Sequence, residues 1–232
     1  MASREDSPYS SASPPCMAHE LADGQDGSFF VVDEEQRRDV ARWRKSERER
    51  LIARRLAFSA DDRNRWSGAI GDGVASFVGD FSGRVVSFYW PFRGEPDLRP
   101  LMHTVWEQGG EAALPIVVAK ATPLVFRTWR QGEALEKGVW NIPVPSGGRE
   151  VVPDIVLAPV VGFDPDCYRL GYGGGFFDRT LVGMAAMPLR IGVGHECARI
   201  ATIFPQPHDV PMDAIVTPDG ITARQVGDGP SG

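Results

Sequence analysis

Cysteine is scarce in this chain. Cys16, Cys167 and Cys197 are the only three among 232 residues, and no two of them stand in a paired spacing. They supply neither a disulfide framework nor a zinc knuckle, which points to a reducing, cytoplasmic setting. No run of about 18 apolar residues occurs, so no membrane-spanning helix is expected. The first residues hold no basic stretch followed by an apolar one, so no secretory leader is expected. No Gly-Lys-Ser/Thr closes a glycine loop, which excludes the P-loop way of holding a nucleotide. A repeated unit is also missing.

A basic body is lacking as well. Residues 1–35 carry eight acids against Arg4, within a chain whose net charge is −6, so everything after them is close to neutral. Nucleic-acid binders normally present a basic face, and no nucleic-acid partner is expected here. The sequence leaves protein partners open.

What is present suffices for a sizeable core, since 42% of the residues are hydrophobic. Residues 1–36, rich in Ser, Pro, Gly and acid, cannot bury enough apolar surface to offset ordering, and are expected to form a disordered acidic tail. Its patch Phe29 to Val32 is the one piece suited to docking. Residues 37–222 read as one folded domain and 223–232 as a flexible C-terminus.

The spacing predicts a helix from Arg37 to Phe58. Val40, Trp43, Leu51, Ile52 and Leu56 share one face, with Arg42, Arg44, Lys45, Arg48, Arg50, Arg54 and Arg55 mostly on the others. Arg44 and Arg48, four apart, share a side suited to an anion or simply to solvent. Ser59 caps a second helix. Strands are expected over Arg84–Trp90, Ala112–Val118, Leu124–Arg130, Asp154–Val161, Arg190–Gly194 and Ala214–Thr217. Helices are expected from Asp97 to Gln108 and from Phe176 to Met187, with residues 131–153 as a Gly/Pro-rich connection. Asp154–Val161 is nearly all apolar, as in a strand covered on both faces. Strands alternating with helices predict a layered α/β fold around a mainly parallel sheet.

The chemistry concentrates in residues 168–179, Tyr-Arg-Leu-Gly-Tyr-Gly-Gly-Gly-Phe-Phe-Asp-Arg. Glycines allow close backbone approach to a ligand, and the helix start after them favours negative charge. A tight turn alone does not call for four glycines in five positions, so a phosphate cradle is expected, with Arg169 and Arg179 as guanidinium donors. Asp178 beside it suits Mg²⁺, which takes one or two carboxylates plus phosphate oxygens, or serves as a helix first-turn acid. Asp209 and Asp213 lie just before the last strand, and either is able to complete a metal site at the C-terminal edge of the sheet.

These segments resemble the 5-formyltetrahydrofolate cyclo-ligase family, also called methenyltetrahydrofolate synthetases. The likeness is carried by Asp154–Pro159, Gly162-Phe163-Asp164, Tyr168–Asp178 and Pro207–Asp213. Tyr89–Glu95 and Trp140-Asn141-Ile142-Pro143 fit in order, and the resemblance covers about residues 40–220. It implies a three-layer α/β sandwich with ATP and 5-formyltetrahydrofolate as substrates and Mg²⁺ as cofactor. ATP activates the formyl oxygen, N10 closes the ring, and 5,10-methenyltetrahydrofolate, ADP and phosphate leave. By matching position, Arg44 or Lys45, with Arg48, contact ATP phosphates. Arg169, Leu170, Gly171, Tyr172, Gly173, Gly174, Gly175, Phe176 and Phe177 form the nucleotide loop, with Arg169 as the catalytic arginine. Asp178 and Asp213 hold the metal, Glu95 recognises the pterin, and Trp90 and Trp140 wall the folate. Phe176-Phe177 stands where the family usually has tyrosines. His195 and Ala198 stand where it has an aromatic and a glutamine. A non-catalytic or differently specific ATP-binding relative on the same fold is the alternative. A sugar-phosphate isomerase or CoA-transferase would need a catalytic carboxylate in another loop.

Overall fold

The computed structural model describes residues 21–23, 29–31 and 34–225. The rest of the expected tail and residues 226–232 of the expected flexible C-terminus lie outside the described residues. Two compact units divide the chain, one ending at Trp43 and the next starting at Arg44. In the first, strands β1 (Leu21–Asp23) and β2 (Phe29–Val31) pair antiparallel. Helix α1 (Glu34–Leu56) opens a little before the expected Arg37, with Glu34 and Glu35 in its first turn, where the helix dipole favours acids.

The second unit is built on one sheet. Helix α2 (Ala60–Val78) is capped by Ser59, whose hydroxyl accepts from the Asp62 amide at 3.0 Å. Strand β3 (Val85–Ser87) is shorter than expected, and helix α3 (Arg99–Glu107) buries Leu101, Met102 and Val105. Next come β4 (Glu111–Ile116) and β5 (Val125–Thr128), then a two-stranded ribbon of β6 (Leu135–Lys137) and β7 (Pro143–Pro145). Beyond these lie β8 (Glu150–Val151), β9 (Ile155–Pro159), β10 (Gly162–Phe163) and β11 (Arg169–Leu170). Helix α4 (Phe176–Val182) stops short of the expected Met187, and β12 (Leu189–Val193), β13 (Ala214–Thr217) and β14 (Gly220–Ala223) follow.

The eight-stranded sheet runs in the order β14-β13-β12-β9-β3-β4-β5-β8. Its middle five strands are mutually parallel, and the edges β14, β5 and β8 pair antiparallel. Strand β9 lies near the centre and shows why the fold has three layers. Ile155 and Leu157 point into a core shared with Ile70 and Val74 of α2 and with Met102 and Val105 of α3. Val156 and Ala158 point to the other face, where Leu181 of α4, Phe163 and Ile215 cover them. All four are fully buried, as the apolar run predicts. Gly73 of α2 lets that helix lie close to β13, because a Cβ there would sit 2.8 Å from Val216 Cγ1. Among the described residues no helix is long and apolar enough to cross a membrane.

Candidate active site

Parallel strands put their C-terminal ends along one edge of a sheet, where the following loops can converge on a ligand. At this edge Tyr89 and Trp90 follow β3, Pro115 lies in the last two residues of β4 and Pro159 ends β9, and all four line one cavity. The glycine loop Gly171–Gly175 closes one side of it, and Phe92, Glu95 and Trp140 close another. Arg44, Arg48, Arg169, Phe176, Phe177, Asp178, His208 and Asp209 complete the wall. The structure thus brings together Trp90, Glu95, Trp140, Arg44, Arg48 and every expected residue from Arg169 to Asp178. Three expected residues do not line it: Lys45, Asp213, and Arg179, whose guanidinium donates to Gly174 O at 2.7 Å.

The glycines are fixed by geometry. Gly173 has φ +94°, and a Cβ on it would meet the Arg48 guanidinium carbon at 3.3 Å. A Cβ on Gly174 would lie 2.7 Å from the Phe176 ring, and one on Gly171 would lie 2.9 Å from an Arg169 terminal nitrogen. Side chains at these points would push apart the arginines and the loop.

The arginines differ in what they have left to offer. Arg44 is buried, donating through Nε to Ile203 O at 2.9 Å, through Nη2 to Phe204 O at 2.8 Å, and through Nη1 and Nη2 to the Asp209 carboxylate. Four of its five N–H donors hold the 203–209 segment, which leaves one Nη1 hydrogen for the expected phosphate contact. Lys45 is exposed and outside the cavity. Among the described residues Arg48 commits Nε alone, to Gly171 O at 2.7 Å. Arg169 lies over the Phe177 ring, 5.1 Å from its centroid, and 3.1 Å from Asp178 Oδ2 without hydrogen-bond alignment. Its Nε is buried with no partner among the described residues. Burial pulls the Arg169 pKa down while Asp178 and Asp209 pull it up.

Two acids were left open for the metal, and the fold separates them. Asp213 precedes β13 at the N-terminal edge of the sheet, where Arg190 donates to it through its amide at 2.7 Å and through its guanidinium. It is therefore on the edge opposite the cavity, and the expected pairing with Asp178 does not form. Asp209, its alternative, is at the cavity, but both of its oxygens accept from Arg44. Asp178 keeps the lighter engagement: Oδ1 accepts from the Val210 amide at 3.3 Å, beside Arg169.

The other wall is built on a tight turn. The Glu95 amide donates to Phe92 O at 3.1 Å, and the Phe92 amide donates to Glu95 Oε2 at 2.9 Å. Arg93 and Gly94 take left-handed φ values of 49° and 74° to make it. Glu95 is 7% exposed, and burial pushes its carboxyl up to about 7, against the opposing pull of Arg55 and the Phe92 amide. Arg55 is buried and bridges the two walls, donating to Arg93 O and to the Tyr172 hydroxyl of the glycine loop. Trp140 is 55% exposed, stacked on Phe92 at 10° between ring planes, and held at φ 58°. A left-handed aromatic residue is a strained one, and strain of this kind gathers at functional sites.

Sequence reasoning missed Tyr89 and Phe92 as parts of this wall, and Arg55 as the residue that braces it. The signal for Arg55 was the spacing of Arg44, Arg48, Leu51 and Arg55, which is one helical stripe; three of the four are buried.

Comparison with known proteins identifies the family. Residues 40–218 match the profile of the 5-formyltetrahydrofolate cyclo-ligase family. The chain is similar to the 5-formyltetrahydrofolate cyclo-ligase of Escherichia coli K12, 32% identical over 143 residues, covering 59% of this chain and 79% of that one. It is also similar to the enzyme of that name from Mycolicibacterium smegmatis, 36% identical over 151 residues, covering 61% and 78%. Among solved structures, the 5,10-methenyltetrahydrofolate synthetase of Aquifex aeolicus superposes with a TM-score of 0.68 at 28% identity, covering 81% of this chain and 95% of that one.

Proposed function

This chain belongs to the 5-formyltetrahydrofolate cyclo-ligase family, and we propose that it converts 5-formyltetrahydrofolate and ATP to 5,10-methenyltetrahydrofolate, ADP and phosphate in the cavity described above. One observation carries the placement: the glycine loop and the Phe92–Glu95 turn face a single cavity, so a nucleotide phosphate and a folate can meet there.

The formyl oxygen is a poor leaving group. Transfer of the γ-phosphoryl group to it makes a phosphate ester, with ADP released. N10 then attacks the formyl carbon and loses its proton to solvent, and the C–O bond breaks to free phosphate. Such a sequence asks the protein for positioning and charge neutralisation rather than covalent chemistry. Arg48 and Arg169 are the donors best suited to the phosphates, since four of the five Arg44 donors are committed elsewhere. The packing of Arg169 on Phe177 supports a fixed guanidinium at the point of transfer. Asp178 fits a hard cation, being a carboxylate at the cavity with lone pairs to spare. Mg²⁺ bound there with the phosphate oxygens would neutralise charge that develops on them. Glu95, when ionised, accepts from the N–H edge of a pterin, while Trp140 and Trp90 offer flat walls to the folate rings.

Paired calorimetry tests the reading. ATP and 5-formyltetrahydrofolate, titrated separately, should each bind the unmodified chain. Glu95→Gln should weaken the folate by about one to two decades and spare ATP, because a hydrogen bond to a charged group is lost. ATP heat with no folate heat from the unmodified chain would instead support the differently specific relative.

A further inference from the structure

His195 follows β12 and is 2% exposed, yet it lines no part of the cavity. Its ring stands edge-on to Phe58 at 5.9 Å between centroids and tilted against Trp66 at 5.6 Å. A phenylalanine would suit those aromatic neighbours without burying an unpaired ring nitrogen. The imidazole does leave one, because Nδ1 is buried and has no hydrogen-bond partner among the described residues. Such an orphan is costly, and what offsets it is the single bond the ring makes. Nε2 lies 3.0 Å from the carbonyl oxygen of Gly94. A carbonyl only accepts, so Nε2 carries the proton and Nδ1 the bare lone pair. Burial, with Arg55 and Arg63 nearby, lowers the pKa of the ring and favours this neutral form.

Gly94 is the residue before Glu95, and its carbonyl is one of several held from different elements. Tyr172 of the glycine loop donates to Phe92 O at 3.4 Å and Arg55 of α1 to Arg93 O at 2.9 Å. Tyr89 after β3 donates to Pro96 O at 2.7 Å. Without His195 the Gly94 carbonyl loses this bond, at a residue whose φ of +74° is already unusual. We propose that His195 is a positioning residue for substrate recognition, fixing the direction of the Glu95 carboxylate through the Gly94 carbonyl. The inference rests on the reading of Glu95 as the folate-binding acid.

The test uses the full chain and four variants: His195→Phe, His195→Gln, Glu95→Gln, and His195→Phe combined with Glu95→Gln. Steady-state KM values for 5-formyltetrahydrofolate and ATP are measured beside melting temperature. His195→Phe should raise the folate KM by about three- to tenfold, the worth of one neutral hydrogen bond, and leave the ATP KM within about twofold. His195→Gln, which retains an N–H donor, should recover part of the loss. In the Glu95→Gln background His195→Phe should add no further rise, because one acts through the other. The role is overturned if both KM values move together, if neither moves, or if the two substitutions add. Should His195→Phe not fold, His195→Met makes the same comparison; if neither folds while His195→Gln does, the role is structural and the proposal falls. Absence of methenyl product from the unmodified chain counts against the proposed function itself. The same comparison is then read in the calorimetric Kd for 5-formyltetrahydrofolate, where an unchanged value in His195→Phe overturns this inference separately.

Discussion

Glu95 shows how a single residue links function to stability. Its carboxyl is pushed to about 7 in the folded chain from 4.5, and burial is the main cause. The folded state therefore holds this proton more tightly than the unfolded chain does. Stability from the protonated form is present below about 4.5 and falls as pH rises through about 7. Glu95→Gln removes the titration, so its stability relative to the parent should grow from pH 4.5 to pH 8. Denaturant melts at stepped pH check this, and parallel curves for the two chains would contradict it. A second contrast at this scale sets Asp178 against Asp213. Asp178→Asn should lower turnover about tenfold or more and weaken its dependence on Mg²⁺, because a neutral amide is a poor ligand for a hard cation. Asp213→Asn should lower the melting temperature and spare turnover, since its carboxylate serves Arg190 on the opposite edge. Rates and melts of the two proteins decide it. Asp209 and Asp213 both precede the Ala214–Thr217 strand in sequence, and the pairing with Arg44 or Arg190 tells their edges apart.

Helix α1 carries three arginines on one stripe, each with a different partner. Arg44 holds the 203–209 segment, Arg48 holds the glycine loop, and Arg55 joins that loop to the turn before Glu95. Arg44→Gln breaks a buried ion pair and should cost about 3–5 kcal/mol of stability. Arg48→Gln should instead raise the KM for ATP with little loss of stability, and Lys45→Gln should do neither. Melts and ATP kinetics on the three proteins separate these outcomes, and a rise in the ATP KM from Lys45→Gln alone would reverse the assignment. The β6–β7 ribbon offers a second test. Trp140 and Asn141 both take φ 58° in the loop that joins its strands, and the Ile142 amide donates to Val139 O at 3.2 Å. Glycine accepts that conformation without strain. Trp140→Gly should keep or raise the melting temperature while increasing the folate KM severalfold, and an unchanged KM would remove the indole from the site. Nothing in residues 135–145 announced this ribbon, because its strands are three residues long with prolines at both ends of β7. The long apolar run at β9 and the glycine loop were legible because each is a local pattern with one physical reading. The ribbon and the two-residue strands β10 and β11 depend on contacts between distant parts of the chain.

At the scale of the molecule, the layered sheet and its mainly parallel centre follow from the alternation of apolar strands with amphipathic helices. The site follows less directly. Arg48, Glu95, Trp140 and Asp178 are far apart in sequence and meet because helix α1, the turn after β3, the β6–β7 ribbon and the start of α4 all border one cavity. Residue type and local spacing named these groups, but the division of labour among the arginines and acids came from their partners. That one cavity serves both nucleotide and folate is the central claim. The most direct measurement mixes the purified full chain with ATP, Mg²⁺ and 5-formyltetrahydrofolate and follows the absorbance of the methenyl product. Absorbance should rise only when all three are present, with ADP formed in equal amount. A flat trace from folded protein that still binds ATP would contradict the account.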